Sequence, residues 1–240
     1  MEAYNLKPFR QKTDQVIDNL LRHFKENSPF QDEMLTDKKV NLNYYKRHNI
    51  EIILRLRMKR WIDALTIHYF TKHDPALAKK WSKYTEDEML HDRMFAKDLE
   101  AVGVKHDEIY NTEPFFATKL LQGYFYYGLE HEGKPMASLA SSYFIEYASI
   151  KTQPMWLDHW AKMLGEEKVK GARAHLEHDI KDHHIDFVWN ILSTFIHKKK
   201  DEEKIIAHIE NVYKLFFMYF HELHNKITGE SLLFSLEIKV

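Results

Sequence analysis

The stretch Tyr84-Thr-Glu-Asp-Glu-Met-Leu-His-Asp-Arg-Met-Phe-Ala-Lys-Asp-Leu99 decides how this chain folds. Tyr84, Glu88, His91, Phe95 and Leu99 follow one another at steps of three and four residues, the spacing that places side chains on a single face of an α-helix. The stripe is core-facing by its aromatic and aliphatic members, yet it carries a carboxylate and an imidazole. Outward from this segment the same periodicity continues almost throughout, and no strict alternation lasts long enough for a sheet strand. The expectation is an all-α, single-domain bundle of about eight helices, at roughly 9–27, 40–72, 76–102, 114–131, 135–150, 154–164, 167–197 and 201–226. The breaks have local causes: Ser28-Pro29, Asp74-Pro75, Gly103, Glu113-Pro114, Gly133-Lys134-Pro135, Gly165 and Gly229. None resembles an interdomain linker, so residues 1–226 are read as one domain and 227–240 as a C-terminal tail.

Composition agrees. The 240 residues include only 7 glycines and 6 prolines, a balance suited to long helices. There is no cysteine, which removes disulfides, thiolate metal sites and cysteine nucleophiles together. The 16 histidines must therefore carry any soft-ligand chemistry. Thirty-five basic residues against 36 acidic ones leave a net charge of -1, so no global field favours nucleic acid or an anionic membrane as partner. Met1 to Arg10 has no signal-peptide core, and the apolar run Tyr213 to Phe220 contains Lys214 and is too short to span a bilayer. The expected location is the cytoplasm.

Two further segments place polar groups among apolar neighbours. Leu139, Tyr143, Glu146 and Ile150 share a stripe in which Glu146 is the single carboxylate. The segment Ala174-His-Leu-Glu-His-Asp-Ile-Lys-Asp-His-His-Ile-Asp-Phe187 sets Leu176, Ile180, Phe187 and Ile191 toward the core. At about 100° per residue, with His175 at the origin, Asp179 lies near about 40°, His183 near about 80°, Asp182 near about -20°, and the apolar row centres near about 120°. His175, Asp179 and His183 thus form one arc, whereas His178, Asp182 and His184 read as solvated polar residues. Buried carboxylates without partners cost several kcal/mol or give up their charge, so Glu88, His91, Glu146, His175, Asp179 and His183 read as a ligand set for two metal ions. Mixed nitrogen and oxygen donors without thiolate suit iron or manganese, and Glu88-x-x-His91 is the spacing used in carboxylate-bridged bundles. Glu146, alone on its helix, is the expected bridge. His221 and His224, beside Phe216, Phe217 and Phe220, read as packing residues.

The order and spacing of these residues resemble the haem-oxygenase-like dimetal oxidases, which share the fold of haem oxygenase and thiaminase II. In that family a Glu and a His on one helix are followed about 55 residues on by a Glu, then by His-x-x-x-Asp-x-x-His. Here Glu88-x-x-His91, Glu146 at a step of 55 from His91, and His175-x-x-x-Asp179 keep that order. The last ligand departs from it: position 182 is Asp, with histidines at 183 and 184. Either Asp182 substitutes, or His183 ligates with a π-bulge restoring the face; the angular argument favours His183. The resemblance implies a nonhaem diiron oxidoreductase that uses O2 on a small amine-bearing or carboxylate-bearing metabolite, with an external electron donor and a homodimer as expectations. Arg55, Arg57, Lys59 and Arg60 crowd one helix, and Arg55 or Arg57 is a candidate clamp for a substrate carboxylate. Tyr143 and the run Tyr124 to Tyr127 are candidate pocket aromatics.

Two other readings compete. A haem-binding or haem-degrading protein of the same fold would use His23 as axial ligand, but leaves Glu88, Glu146 and Asp179 unexplained. A non-enzymatic helical interaction protein would neutralise these groups in buried salt bridges with cations such as Arg57 and Arg173, and would have no use for three inward histidines.

Overall fold

The structure, a computed structural model, describes residues 6–35 and 40–230. Among the described residues eleven α-helical segments and two short 3-10 turns follow one another, with no strand. The helices are α1 (Lys7–Asn27), α2 (Phe30–Met34), α3 (Leu42–His73), α4 (Pro75–Glu88), α5 (Asp92–Ala101), α6 (His106–Asn111), α7 (Phe116–Glu130), α8 (Met136–Leu164), α9 (Lys170–Lys181), α10 (His184–Leu192) and α11 (Lys199–Thr228).

Helix starts follow local capping. The Asn41 side chain accepts from the amides of Asn43 and Tyr44 at 3.2 Å each, and Asp74 accepts from Ala76 and Leu77, with Pro75 at the first helical position of α4. Gly229 ends α11 in the left-handed conformation at φ 75°. The last helix therefore runs two residues beyond the expected boundary at 226, and the rest of the expected tail, 231–240, lies outside the described residues.

Four of the eight expected helices are divided or joined differently, and the short helices α2 and α6 were not expected. The stretch 76–102 is two helices, α4 and α5, joined by a turn through Met89 and Leu90. The stretch 167–197 is likewise broken, into α9 and α10, at Asp182 and His183. Conversely, 135–150 and 154–164 are one helix, α8, that runs through Pro154. An interior proline costs a helix about 3 kcal/mol. Here the far half of α8 is anchored by aromatic packing that offsets this, with Trp156 4.5 Å from Phe30 between ring centroids and the Trp160 indole N–H donating to the Met34 carbonyl at 3.1 Å.

α3, α7, α8 and α11 form the central bundle, with α1 laid across α8 and α11. α4 and α5 pack on α3, α9 packs on α5 and α8, and α10 packs on α8. The two broken helices thus meet over the middle of α8, which is where Glu146 emerges. Within the bundle, Phe24, Phe30, His48, Trp156, Trp160 and Phe220 form a continuous aromatic cluster. No helix among the described residues is long and apolar enough to cross a membrane.

Candidate metal centre

Five of the six ligands expected from sequence come together, and the sixth place is taken by the neighbour of the expected residue. Glu88 ends α4, and His91 follows in the turn before α5, so its ring folds back to 3.0 Å from Glu88 Oε2. His175 and Asp179, one turn apart on α9, have His175 Nδ1 3.0 Å from Asp179 Oδ2, and His175 Nε2 lies 3.9 Å from Glu88 Oε2. The His91 and His175 rings meet edge to face at 4.5 Å. Glu146 stands 5% exposed on α8 and accepts a 2.8 Å hydrogen bond from the Tyr84 hydroxyl.

His184 completes the cluster. It is 3% exposed, with Nδ1 3.2 Å from Glu88 Oε1, 3.3 Å from Asp179 Oδ1 and 3.8 Å from Glu146 Oε1. His183, the residue favoured by angular reasoning, is exposed, and Asp182 is exposed beside His178 at 3.5 Å. The reason is the helix break. Advancing by about 100° per residue presumes an unbroken helix, whereas His183 sits in the left-handed region at φ 54°, ψ 40°. That single residue reorients the chain, turning His184 inward and His183 out; Ile180, expected in the core, lies before the break on α9 and is 47% exposed.

Close approach of α9 to α5 makes the cluster possible. A Cβ on Gly171 would lie 1.9 Å from the Met94 carbonyl oxygen, so only glycine permits this spacing. Asp98 on α5 secures the contact by accepting from the amides of Gly171 and Ala172 at 2.7 and 2.8 Å, which caps the start of α9.

Besides a partly exposed set of His178, Asp182 and His184, the donors form two inner sets, Glu88, His91, His175 and Asp179, and Glu88, Glu146 and His184, the atoms in each set lying within 4.8 Å of one another. Glu88 belongs to both. Glu146, the expected bridge, belongs to one. Several of these atoms are close without being satisfied. Glu88 Oε1, Asp179 Oδ1 and both ring nitrogens of His175 and His184 are buried and make no hydrogen bond. Donor atoms that approach to 3.0–3.9 Å but aim past each other converge on shared points, as metal ligands do.

Glu51 supplies the contrast. It is fully buried, but accepts from Arg47 at 2.5 Å, the Phe115 amide at 2.9 Å and the Thr118 hydroxyl at 2.6 Å, so it needs nothing more. No lysine or arginine pairs with Glu88, Glu146 or Asp179 among the described residues. Arg57 stacks on Tyr110, and Arg173 pairs with Glu166 and Asp158 at the surface. Burial would raise the Glu88 carboxyl, yet His184 and His91 hold it well below the usual range. Burial and the neighbouring Asp179 and Glu88 charges push Glu146 up to about 8. For His184 burial opposes the charge, but the Asp179 and Glu88 carboxylates override it and raise the ring to about 10. The cluster is thus short of positive charge. Three carboxylates and three imidazoles, of which Glu88, Asp179, His175 and His184 have unsatisfied buried atoms, fit two divalent ions of the iron or manganese kind.

A cavity of about 170 Å³ opens on Glu88, Glu146, His175 and Asp179 and is otherwise walled mainly by apolar residues including Ile52, Leu56, Ile62, Leu121 and Phe125. Arg55 reaches it, as does Lys59. Arg57 and Tyr143 do not: Arg57 is drawn outward to the Tyr110 ring and carbonyl, and the buried Tyr143 hydroxyl donates to Asp14 at 2.5 Å and accepts from Arg10 at 3.3 Å. Of the tyrosine run, Tyr124 is turned to His208 at 2.7 Å, while Tyr126 and Tyr127 are exposed. His23 is hydrogen-bonded to the Tyr213 hydroxyl at 2.6 Å and packs on Phe217. His221, bonded to the Phe217 carbonyl at 3.0 Å, is buried in the packing as expected.

No family model and no curated protein matches the chain. Among solved structures it is similar to a domain of unknown function with a haem-oxygenase-like fold from Shewanella denitrificans OS217, at 21% identity over 95% of each chain and a TM-score of 0.77. The fold of this chain is therefore haem-oxygenase-like and all-α, as the sequence resemblance implied.

Proposed function

We propose that this chain is a nonhaem oxidoreductase that holds two iron ions, with manganese the alternative metal, and uses O2 to oxidise a small organic molecule. The observation that carries the proposal is the pair of donor sets sharing Glu88, with buried carboxylate and imidazole atoms that no protein group satisfies. His91 and His175 would serve one ion with Asp179, and His184 and Glu146 the other. Two ferrous ions so held supply the electrons and open positions that O2 chemistry needs.

The protein's own contribution is positioning and exclusion. The Tyr84 hydroxyl fixes the Glu146 carboxylate from one side, and Asp98 fixes α9 and thereby His175 and Asp179. The apolar wall of the adjoining cavity keeps bulk water from the centre and seats the substrate body against it. An external electron donor would return the centre to the ferrous state between turnovers. The test is O2 uptake by protein loaded anaerobically with ferrous iron and offered a panel of amino acids, amines and carboxylic acids. Substrate-dependent uptake that disappears in His91→Ala supports the proposal; uptake equal in wild type and His91→Ala refutes it.

A further inference from the structure

His178 and Asp182 lie just outside the centre, one turn apart at the C-terminal end of α9, with His178 Nε2 3.5 Å from Asp182 Oδ2. Their side chains are 35% and 39% exposed. With the buried His184 they make a further donor set, one atom from each lying within 4.8 Å of the others. The His178 ring meets that of His184 edge to face at 5.6 Å and that of His91 at 5.2 Å, so it borders the inner centre from outside.

A histidine and an aspartate at this spacing on a helix surface are ordinary; His184 sets this pair apart. Its Nδ1 faces Glu88, Asp179 and Glu146 at 3.2, 3.3 and 3.8 Å. The two nitrogens of an imidazole diverge, which leaves Nε2 for the other side, and this atom is buried with no hydrogen-bond partner. A buried polar atom without a partner asks for one.

An opening of about 260 Å³ borders the same residue, lined by Lys83, Tyr84, Asp87, Asp182, His184 and Phe187. Its lining carries two carboxylates and one ammonium, and it reaches solvent at the exposed Lys83 and Asp182. The apolar cavity described above shares only Tyr84 with this opening. With Arg55, Lys59 and aliphatic walls in its lining, the apolar cavity is a poor path for a hydrated dication, which it would repel and strip of water.

We propose that His178, Asp182 and Nε2 of His184 form an outer, exchangeable site for a divalent cation, through which ions reach the centre from the opening beside Asp87. Three donors, two of them at the surface, leave the rest of the coordination shell to water, so the ion is held weakly and released readily. An ion released by His178 and Asp182 has the other nitrogen of the same His184 ring as its next donor, already among the Glu88, Asp179 and Glu146 oxygens. The outer site stands on its own three donors and the opening. Its role in loading rests on the two-ion reading of the centre given above.

The loading role is tested by mixing metal-free protein anaerobically with excess ferrous iron, quenching with a strong chelator at intervals, desalting and measuring retained iron. Wild type is compared with the double variant His178→Ala, Asp182→Asn and with Glu177→Gln, which removes an exposed carboxylate of α9 that is outside the donor set. The double variant is expected to load at least about tenfold more slowly than wild type and to reach the same final iron content, with Glu177→Gln within about twofold of wild type. Equal rates in wild type and the double variant, or equal slowing in Glu177→Gln, overturn the loading role. So does a double variant that ends with less iron, which would make the pair ligands of the centre itself. The outer site is read separately, by Mn2+ titration of metal-free Glu88→Ala, His91→Ala protein followed by electron paramagnetic resonance. One weakly held Mn2+ is expected to be lost when His178 and Asp182 are replaced as well; an unchanged count of bound Mn2+ overturns the site. The same loss in a chain whose wild type retains no iron would leave the outer site standing and remove the metal-centre reading, and the loading role with it.

Discussion

His183 and His184 are adjacent in sequence and face opposite ways, and the difference rests on one backbone conformation. The left-handed φ of 54° at His183 is one that histidine adopts more readily than most residues but still at a cost of about 1–2 kcal/mol. Glycine there should remove most of that cost. His183→Gly is accordingly expected to keep full metal uptake and to be as stable as wild type or up to about 1 kcal/mol more so in urea titration. His184→Ala should keep the helical circular dichroism of wild type and lose at least one of two bound metal ions. Equal retention of metal in both variants would reject the assignment of His184. Glu88, His91, Glu146, His175 and Asp179 were legible because each stands on a helical stripe measured from nearby apolar residues. His184 was not, because its direction depends on a residue with positive φ that is neither glycine nor asparagine and so carries no sequence signal. Glu51 shows the opposite limit: its burial has no functional meaning, since Arg47, Thr118 and a backbone amide satisfy it.

At the scale of elements, the two helix breaks and one close contact build the site. The breaks at Met89–His91 and at Asp182–His183 contain neither glycine nor proline, so periodicity read straight through both. Pro154 is the reverse case, a strong breaking signal overruled by the aromatic packing of Trp156 and Trp160. Termini marked by Asp74-Pro75, Gly103, Gly165 and Gly229 were legible because capping and turn chemistry are local. The α5–α9 contact is long-range and could not be read from either segment alone. Its dependence on Gly171 gives a prediction: Gly171→Ala should separate the two helices, lower stability by about 1–3 kcal/mol or more in chemical denaturation, and reduce metal uptake even in the fraction that remains folded. Gly123, where an added Cβ meets nothing within 4 Å, is the control, and Gly123→Ala should leave metal uptake unchanged.

For the molecule as a whole, stability should depend on acidity through His48. This residue is buried among Phe30, Trp160 and Phe220, its Nδ1 2.8 Å from the Tyr219 hydroxyl. Burial, with the nearby Arg55 charge, lowers its pKa to about 3. Because the folded value lies below that of the unfolded chain, about 6.5, the stabilisation is complete above about pH 6.5 and is lost as pH falls from there toward about 3, by at most about 1.4 kcal/mol per pH unit. Glu146, pushed up to about 8 in the metal-free protein, contributes in the opposite sense over the same range, so the His48 contribution is read by difference. In unfolding titrations at pH 7, 6 and 5, His48→Gln should gain stability relative to wild type as pH falls, by up to about 1.4 kcal/mol per pH unit, and a difference that does not change with pH would remove His48 from the acid response. Metal should act in the other direction. Ions that bind only the folded chain stabilise it by about 2.7 kcal/mol at a hundredfold excess over Kd, so the thermal midpoint should rise on adding ferrous iron anaerobically and rise less in His184→Ala.

The central claim is that two metal ions share Glu88 between the α4–α5 and α9–α10 breaks, and metal stoichiometry tests it most directly. Protein loaded with excess ferrous iron without oxygen, freed of unbound metal by gel filtration and analysed by elemental mass spectrometry, is predicted to hold two irons per chain, falling to one or fewer in His184→Ala and remaining at two in His183→Ala. No retained iron in the wild type, or the same iron content in all three proteins, would contradict the account and return these histidines and carboxylates to the packing of a helical bundle.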